Sequence, residues 1–270
     1  MTIKTVSLSL SVCMVSMSAA AGGFSSEPLI NVDFSLGDRL DKMVWSRTTG
    51  VTANTKVFYT DDDKNIIYQN GELILEARRE RISNPKYGQQ KFGALQKIKF
   101  RDVSSVSIAS ADYFTYGKFE VVADIPDSEG LQPAIWLQGE NKNQYGEIDI
   151  MEAKGDKSVG VRFATVHAGS SVKDLQRRSS HLNVGGGFHK YTAEWTPDHI
   201  KIFYDDNLIL VAPAELGVAG GRAPLKQPMQ LKINLGGGSR WVGPIDLDSL
   251  PQRMRIQSIK VWSYVSGAAK

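Results

Sequence analysis

Apolar and polar residues alternate with a period of two along many short stretches of the chain. In the segment 118–123 three apolar residues, Phe119, Val121 and Ala123, share one parity, and every second residue is likewise apolar in the segments 191–195, 200–204 and 231–235. No apolar period of 3.6 residues continues for more than two helical turns. Because the side chains of a strand point alternately to its two faces, this pattern predicts strands that are buried on one side. The chain is therefore predicted to be all-β.

Turn-forming residues separate these stretches. Thr196-Pro197-Asp198 predicts a tight hairpin turn, and triple glycines stand at 185–187 and 236–238. Near the end of the chain the apolar residues change parity on either side of Gln257, which predicts a β-bulge there. No internal repeat and no long linker divides the chain. The simplest architecture is one antiparallel β-sandwich of many strands.

The first 21 residues differ from the rest. Lys4 is the only charged residue, and it precedes an apolar and serine-rich run that ends in Ala19-Ala20-Ala21. The run is too short for a membrane span and no charged stop follows it, so residues 1–21 are predicted to be a signal peptide. Residues 22–270 would then form a secreted or periplasmic domain. That domain lacks cysteine, because Cys13 is the only one, and so it has no disulfide and no thiolate site.

Composition and missing motifs narrow the function classes. Hydrophobic residues make up 41% and charged residues 23%, which suits a folded domain with a sizeable core. The 32 Lys and Arg residues barely exceed the 29 Asp and Glu residues. This surplus is too small to predict a nucleic-acid or anionic-membrane partner. The absence of a G-x-S-x-G elbow and of an H-E-x-x-H pattern argues against a serine hydrolase and a zinc protease.

The most informative stretch is acidic and reads Gly-Glu-Ile-Asp-Ile-Met-Glu, ending at Glu152. In a regular strand Glu147 and Asp149 face one side, whereas Glu152 faces the other, where a lone buried carboxylate would be costly. A bulge at Ile150 or Met151 would bring all three acids to one face. Such a group can supply the two carboxyl groups of a glycoside hydrolase and a third that separates their pKa values. A solvated acidic strand edge and a calcium site remain alternatives.

This stretch resembles the signature of glycoside hydrolase family 16 in the bulged form E-x-D-x-x-E, as in its laminarinase-like members. Further segments are similar to the family in the same order: Val32-Asp33-Phe34, Tyr116–Glu120, Gly130–Trp136, Ala164–His167, Phe188–Pro197 and Asn234–Gly243. The resemblance covers nearly the whole mature chain. It implies a single β-jelly-roll sandwich of the concanavalin-like kind, with a concave glycan-binding cleft. It also implies retention of anomeric configuration.

The resemblance also implies roles for individual residues. Glu147 would be the nucleophile and Glu152 the acid/base, with Asp149 between them. Aromatic platforms and polar side chains are expected to hold the sugar. The predicted substrate contacts are Trp136, His167, Trp241, Asn65 and Asn234. No cofactor or metal is predicted, because Gln257 stands where the family often has an aspartate that helps to bind a structural calcium.

The predicted function is a secreted, endo-acting and monomeric hydrolase of β-1,3-linked glucan, with a polysaccharide as its partner. One alternative is a hydrolase of another β-linked polysaccharide, of the agar, porphyran or carrageenan type. Asn54–Phe58 lacks the Glu and Gln that many laminarinases carry there, and the basic segment Arg78–Lys91 is either a solvated loop or a contact for a sulfated glycan. The other alternative is a non-catalytic β-glucan-binding protein, against which the intact acidic trio argues.

Overall fold

Two mostly antiparallel β-sheets pack face to face in a computed structural model that describes residues 22–141, 143–155 and 158–267. The predicted signal peptide, residues 1–21, lies outside these described residues. The strands of the described ranges are β1 (Gly23–Phe24), β2 (Ile30–Asp33), β3 (Trp45–Arg47), β4 (Gly50–Val51), β5 (Phe58–Tyr59), β6 (Ile66–Gln69), β7 (Glu72–Ser83), β8 (Phe100–Ser105), β9 (Ser107–Ser110), β10 (Gly117–Asp124), β11 (Leu131–Gly139), β12 (Tyr145–Ala153), β13 (Val161–Gly169), β14 (Gln176–Asn183), β15 (Phe188–Trp195), β16 (His199–Tyr204), β17 (Asn207–Pro213), β18 (Met229–Gly237), β19 (Gln252–Trp262) and β20 (Tyr264–Val265). Short 3₁₀ segments span Phe34–Leu36, Gln90–Lys97 and Pro224–Lys226.

The two sheets interleave distant parts of the chain. The larger sheet has the order β17-β16-β15-β10-β19-β7-β8-β5-β4, with β2 beside β19 and β6 beside β7. The smaller sheet has the order β14-β13-β12-β11-β18-β9-β3, and β1 pairs separately with β20. Neighbours within a sheet are thus often far apart in sequence, as in a jelly roll. The prediction of an all-β sandwich is confirmed.

The core lies between the two sheets and explains the period-two pattern. Ile135 and Ile148 of the smaller sheet are fully buried, and so are Phe119, Val121 and Trp195 of the larger sheet. Truncating one of these side chains to alanine would cost about 2–5 kcal/mol of unfolding free energy. The other parity of β11, β12 and β18 therefore faces outward, and this outward face of the smaller sheet forms the floor of a cleft.

Two local predictions about the backbone are confirmed. Strands β15 and β16 form the hairpin predicted at Thr196-Pro197-Asp198. The pairing of β10 with β19 moves from Val122 opposite Ser258 to Ala123 opposite Ile256 and so leaves Gln257 as a bulge. The extra residue restores the core-facing parity on both sides of the bulge, because side chains alternate strictly along a strand.

The first half of the basic segment 78–91 is part of a strand and not the predicted loop. Strand β7 continues to Ser83, because its backbone pairs with β8. Arg79 forms an ion pair with Asp248, with Nη1 and Oδ1 3.1 Å apart. Arg78 Nε lies 3.2 Å from a carboxylate oxygen of the buried Glu76. These arginines therefore pair with acids of the protein itself rather than projecting from a free loop.

Candidate active site

Strand β12 carries the three acids and contains the predicted bulge. Opposite β11, its pairing moves from Asp149 facing Trp136 to Met151 facing Ile135 and so leaves out Ile150. Opposite β13 the same shift falls between Asp149 and Glu152. Because of this extra residue, Glu152 returns to the face of Glu147 and Asp149, and all three line the cleft. The predicted bulge at Ile150 or Met151 is confirmed, and Ile150 and Met151 are both fully buried in the core.

The two glutamates receive hydrogen bonds from neighbouring side chains. Glu147 Oε2 accepts one from the Tyr145 hydroxyl at 2.7 Å and one from Gln138 Nε2 at 3.1 Å. Glu152 Oε1 accepts one from Gln132 Nε2 at 2.9 Å. Donors of this kind hold a carboxylate in one orientation and favour its ionised form. Glu147 therefore has two such donors and Glu152 has one.

Asp149 has a different environment. It is buried, and its Oδ2 has no hydrogen-bond partner among the described residues. His167 Nε2 lies 3.4 Å from that oxygen, on the strand that pairs with β12. Burial, followed by the charge of Arg177, lowers the pKa of His167, so the ring is neutral at pH 7. A carboxyl group without donors or a cation is most stable when it holds a proton.

Burial is the main influence on the pKa of each acid. It raises the pKa of Glu147 to about 7, against the opposing effects of the Tyr145 hydroxyl and the Lys232 charge. It raises the pKa of Asp149 well above its ordinary value, and the two neighbouring glutamates add to that rise. It also raises the pKa of Glu152, with the Gln132 hydrogen bond opposing. The trio therefore shares protons near neutral pH, as acid/base chemistry requires.

The acids lie on the floor of an open cleft of about 1190 Å³. One wall comes from the segment 52–56 and the other from Gly238 to Pro244, which includes Trp241. Gly238 has a φ of +69°, and a Cβ there would lie 2.4 Å from Lys56, so glycine allows the two walls to approach. A small cluster of buried residues, including Val57 and Leu235, supports this end of the cleft from below.

The two predicted platforms both line the cleft. Trp136 is half-buried, and its Nε1 donates a hydrogen bond to Asn234 Oδ1 at 2.7 Å. Trp241 is 40% exposed and stands edge-on to Phe163, with ring centroids 5.3 Å apart. Asn234 itself is buried at the cleft floor, on the opposite parity to Ile233, as predicted. A partly exposed indole held by such contacts presents an apolar face to a sugar ring.

One of the two remaining predicted contacts lies among the acids and the other lies away from the cleft. His167 is beside Asp149, near the acids as expected, and its role in substrate binding stays a prediction. The prediction that Asn65 contacts substrate is wrong, because its side chain is fully buried. Its Nδ2 donates to Glu76 O at 2.8 Å and to Ser104 Oγ at 3.0 Å. Asn65 thus joins strands of the larger sheet and cannot reach a glucose unit.

Sequence reasoning missed several cleft residues. These residues lie on the same strands as the identified cleft residues and have the same parity, so strand parity could have predicted them. Gln132 and Gln138 have the parity of Trp136, Lys232 has that of Asn234, and Tyr145 has that of Glu147.

One group of side chains in the described part of the chain has the composition of a metal site. Ligand atoms of Glu147, Asp149 and His167 all lie within 4.8 Å of one another. The same Glu147 carboxylate already accepts hydrogen bonds from Tyr145 and Gln138, and the buried Asp149 favours its neutral form. Metal ligation would need both carboxylates ionised. The donor set therefore suits proton sharing better than a resident cation.

Comparison with known proteins agrees with this geometry. The model of glycosyl hydrolases family 16 matches residues 53–250, a range that includes the acidic trio and both platforms. The chain belongs to this family. It is a glycoside hydrolase that retains configuration at the cleaved carbon, as its family does.

No helix among the described residues is long and apolar enough to cross a membrane.

Individual relatives differ in their described activities. The chain is 31% identical to a β-glucanase of Rhodothermus marinus over 213 residues, which are 72% of this chain and 69% of the relative. A structure of the laminarinase catalytic domain of Thermotoga maritima is similar with a TM-score of 0.72 and 26% identity, over 88% of this chain and 98% of that chain. A structure from work on endo-acting O-glycanases of the human gut microbiota, which initiate mucin breakdown, gives a TM-score of 0.79 and 27% identity, over 87% and 90% of the two chains.

Proposed function

We propose that this family 16 hydrolase cleaves β-1,3-linked glucan at internal bonds. The observation that carries the proposal is the bulged strand β12, which places Glu147, Asp149 and Glu152 together on the floor of an open cleft. The cleft has Trp136 on its floor and Trp241 on its wall. An open cleft accepts the middle of a polymer, whereas an exo-acting enzyme needs a closed end. The names of the R. marinus and T. maritima relatives support a glucan.

The position of each acid in the family signature assigns its role, and the hydrogen bonds to Glu147 support that assignment. Glu147, which accepts two hydrogen bonds, acts as the ionised nucleophile and attacks the anomeric carbon to form a glycosyl ester. Glu152 donates its proton to the departing glycosidic oxygen. In the second step Glu152 takes a proton from water, and the water displaces Glu147 with overall retention. Asp149, between them, holds a proton and limits the repulsion between the two glutamates.

This assignment predicts a distance as well as an outcome. A retaining pair has its carboxyl groups about 5–5.5 Å apart, because the nucleophile must contact the carbon that the acid/base flanks. We therefore expect the Glu147 and Glu152 carboxyl groups at that spacing in a crystal structure of the enzyme with an oligosaccharide. A spacing of about 9 Å would leave room for an attacking water and would contradict the nucleophile role.

The test is a panel of polysaccharides assayed for new reducing ends and for product size. Laminarin is expected to fall rapidly to oligosaccharides of mixed length, which distinguishes internal from terminal cleavage. Agarose, porphyran, carrageenan and mucin O-glycans serve as the comparison. The proposal fails for the glucan if laminarin remains intact while another member of the panel is cleaved.

A second candidate is hydrolysis of a different β-linked or anionic glycan. Two observations favour it. The similarity to the structure from the mucin O-glycanase work has the higher TM-score of the two structures compared above. Among the described residues that line the cleft, three are cations, Lys56, Lys232 and Arg240, and the trio are the only acids. Faster cleavage of a sulfated glycan, falling steeply as salt screens the charges, would favour this candidate.

We also propose that the protein is exported and acts as a monomer. The composition of residues 1–21 supports removal of a signal peptide near Ala21. Amino-terminal sequencing of protein recovered from the medium or periplasm tests the cleavage position. Light scattering of the purified protein tests the oligomeric state.

A further inference from the structure

A row of polar side chains crosses the cleft floor beside Glu147 and is not part of the catalytic trio. Three neighbouring strands contribute to it: Lys232 on β18, Gln138 on β11 and Glu147 on β12. Gln138 is directly opposite Glu147 in the sheet, and Lys232 is opposite Trp136, diagonal to Gln138. Lys232 Nζ donates to Gln138 Oε1 at 2.9 Å, and Gln138 Nε2 donates to Glu147 Oε2 at 3.1 Å.

The direction of this row follows from the donors that each group has. A lysine ammonium group only donates, so it must face the carbonyl oxygen of the Gln138 amide. The amide nitrogen of Gln138 then points to Glu147, where it can donate to a carboxylate but not accept from one. An amide oxygen is repelled by an ionised carboxylate but can accept a hydrogen bond from a protonated one, so the opposite orientation of Gln138 would favour a protonated Glu147. By donating to the amide oxygen, Lys232 holds Gln138 in the orientation that favours an ionised Glu147.

In the described structure, no ion pair explains the position of Lys232. It is half-buried, and no carboxylate there lies within ion-pair distance of its Nζ. Its ammonium group lies 5.0 Å from the centre of the Trp136 ring, a cation–π distance. Burial lowers its pKa, while the charges of Glu140 and Glu147 raise it. A cation kept in a half-buried position at some cost is more consistent with a functional contact than with a surface charge.

We propose that Lys232, acting through Gln138, is a positioning residue that keeps Glu147 ionised and correctly oriented for attack. Tyr145 completes the arrangement from β12 itself, with its hydroxyl 2.7 Å from the same oxygen. The inference rests on the proposed role of Glu147 as the nucleophile. The free carboxylate oxygen, Oε1, receives neither of these bonds, and it is the atom left to attack the sugar.

Other charged and titratable groups also face Glu147. Asp149 and Glu152 are on its own strand, and His167 is directly opposite on β13, with Arg177 behind it on β14. The two acids disfavour ionisation of Glu147, and the neutral His167 contributes no charge. Lys232 is therefore the cation of the cleft floor that opposes them, as the lowering effect of its charge on the Glu147 pKa indicates.

The first experiment measures kcat/KM from pH 4 to pH 9 for the wild type, Lys232→Met and Lys232→Arg. Activity rises as Glu147 ionises, so loss of the cation should move the acidic limb to higher pH by about one unit. At pH values below the limb, kcat/KM should fall about tenfold, and at pH values above the limb it should change much less. Arginine keeps the charge and the donors and should restore the limb. Lys201→Met, on β16 of the other sheet, removes the same charge far from the cleft and should leave the profile unchanged.

A double-mutant cycle tests whether the effect passes through Gln138. Gln138→Leu alone should shift the limb in the same direction, because Glu147 loses a donor. Lys232→Met should then have a smaller effect in the Gln138→Leu background than in the wild type. Equal shifts in both backgrounds would overturn the relay through Gln138. An equal loss of activity at every pH would also overturn the proposal, since it would indicate a merely structural role.

A measurement without substrate separates this inference from the proposed function. Protein labelled with ¹³C at the glutamate carboxyl carbon is titrated by NMR, with Glu147 assigned by its absence in Glu147→Gln. The Glu147 titration should move to higher pH in Lys232→Met and return in Lys232→Arg. If no β-1,3-glucan is cleaved but this shift is seen, the substrate proposal fails and the positioning role stands. If the shift is absent while laminarin is cleaved, the positioning role is wrong and the function stands.

Discussion

The buried charged groups of the described residues fall into two regions that differ in how each charge is balanced. The paired region consists of Arg162 with Asp127 and Glu76 with Arg253, and the unpaired region is the acidic trio on the cleft floor. At the end of β13, Arg162 is 1% exposed, and its Nη1 lies 2.6 Å from Asp127 Oδ1. In the larger sheet the buried Glu76 accepts from Arg253 Nε at 2.7 Å. On the cleft floor, by contrast, Asp149 is also buried, and among the described residues the only basic side chain within ion-pair distance is His167, whose ring is neutral at pH 7.

The difference separates charges that support the fold from those that serve chemistry. An opposite charge beside a buried group stabilises one protonation state of that group. Such a group supports the structure and does not exchange protons near neutral pH. Three acids that share one low-dielectric face have raised pKa values, so protons are exchanged among them near neutral pH. The trio carries this cost at the cleft, where acid/base chemistry requires it.

The largest expected effect comes from removing either reactive carboxyl. Glu147→Gln and Glu152→Gln should each lower turnover by at least about a thousandfold. Neither change should lower the free energy of unfolding, because each removes a buried carboxyl that lacks a full ion pair. Reducing-end assays and urea unfolding measure the two quantities. Glu76→Gln is the matched control: it should lower stability and leave turnover per folded molecule unchanged, because Glu76 belongs to the paired region. Near wild-type turnover in either cleft variant would refute the assignment.

The next effect is on stability and belongs to the paired region. Arg162→Met leaves Asp127 without its cation and should lower the unfolding free energy by about 3 kcal/mol. Arg79→Met breaks an exposed pair with Asp248, and we expect less than about 1 kcal/mol. Urea unfolding of both variants provides the comparison. Equal losses in the two would mean that burial is not what gives the Arg162 pair its importance.

Stability should also depend on pH in a way that reflects the unpaired region. A carboxyl whose pKa is raised on folding binds more protons in the native state than in the unfolded state, so stability falls as pH rises from about 4.5 toward about 7. The Glu147 shift alone should contribute a loss of about 3 kcal/mol over this window. Urea midpoints at several pH values measure it. Asp149→Asn should flatten the curve, and an unchanged slope in that variant would contradict the assignment of the loss to the trio.

The smallest expected effect concerns the cleft wall, where packing rather than charge is involved. Trp241→Ala should weaken oligosaccharide binding by about 1 kcal/mol, the usual size of an aromatic stacking contact. Calorimetry in the Glu147→Gln background avoids hydrolysis during the titration. Leu208→Ala removes a comparably exposed apolar residue on β17 and serves as the control. Unchanged affinity in Trp241→Ala would exclude stacking on this indole.

Sequence patterns were most reliable where a strict local rule applied. The strict alternation of strand side chains placed Phe119 and Val121 in the core and predicted the bulges at Gln257 and in β12. The same rule predicted that Asn234 faces the cleft. The failure at Asn65 has a physical cause as well: a polar residue after a turn reads as exposed, but its Nδ2 bonds to Glu76 and Ser104, residues distant in sequence.

The sequence by itself determined the fold class and the identity of the three acids, because period-two alternation and a bulged acidic strand are local properties of the chain. Only the tertiary structure decided which donors and cations surround those acids. Gln132 and Gln138 reach Glu152 and Glu147 from the neighbouring strand β11, and Lys232 reaches Gln138 from β18, 94 residues later in the chain. Which of these residues meet depends on the register between strands. Register depends on how the pattern of one strand matches that of its neighbours, so a single strand does not show which residue of another strand lies opposite.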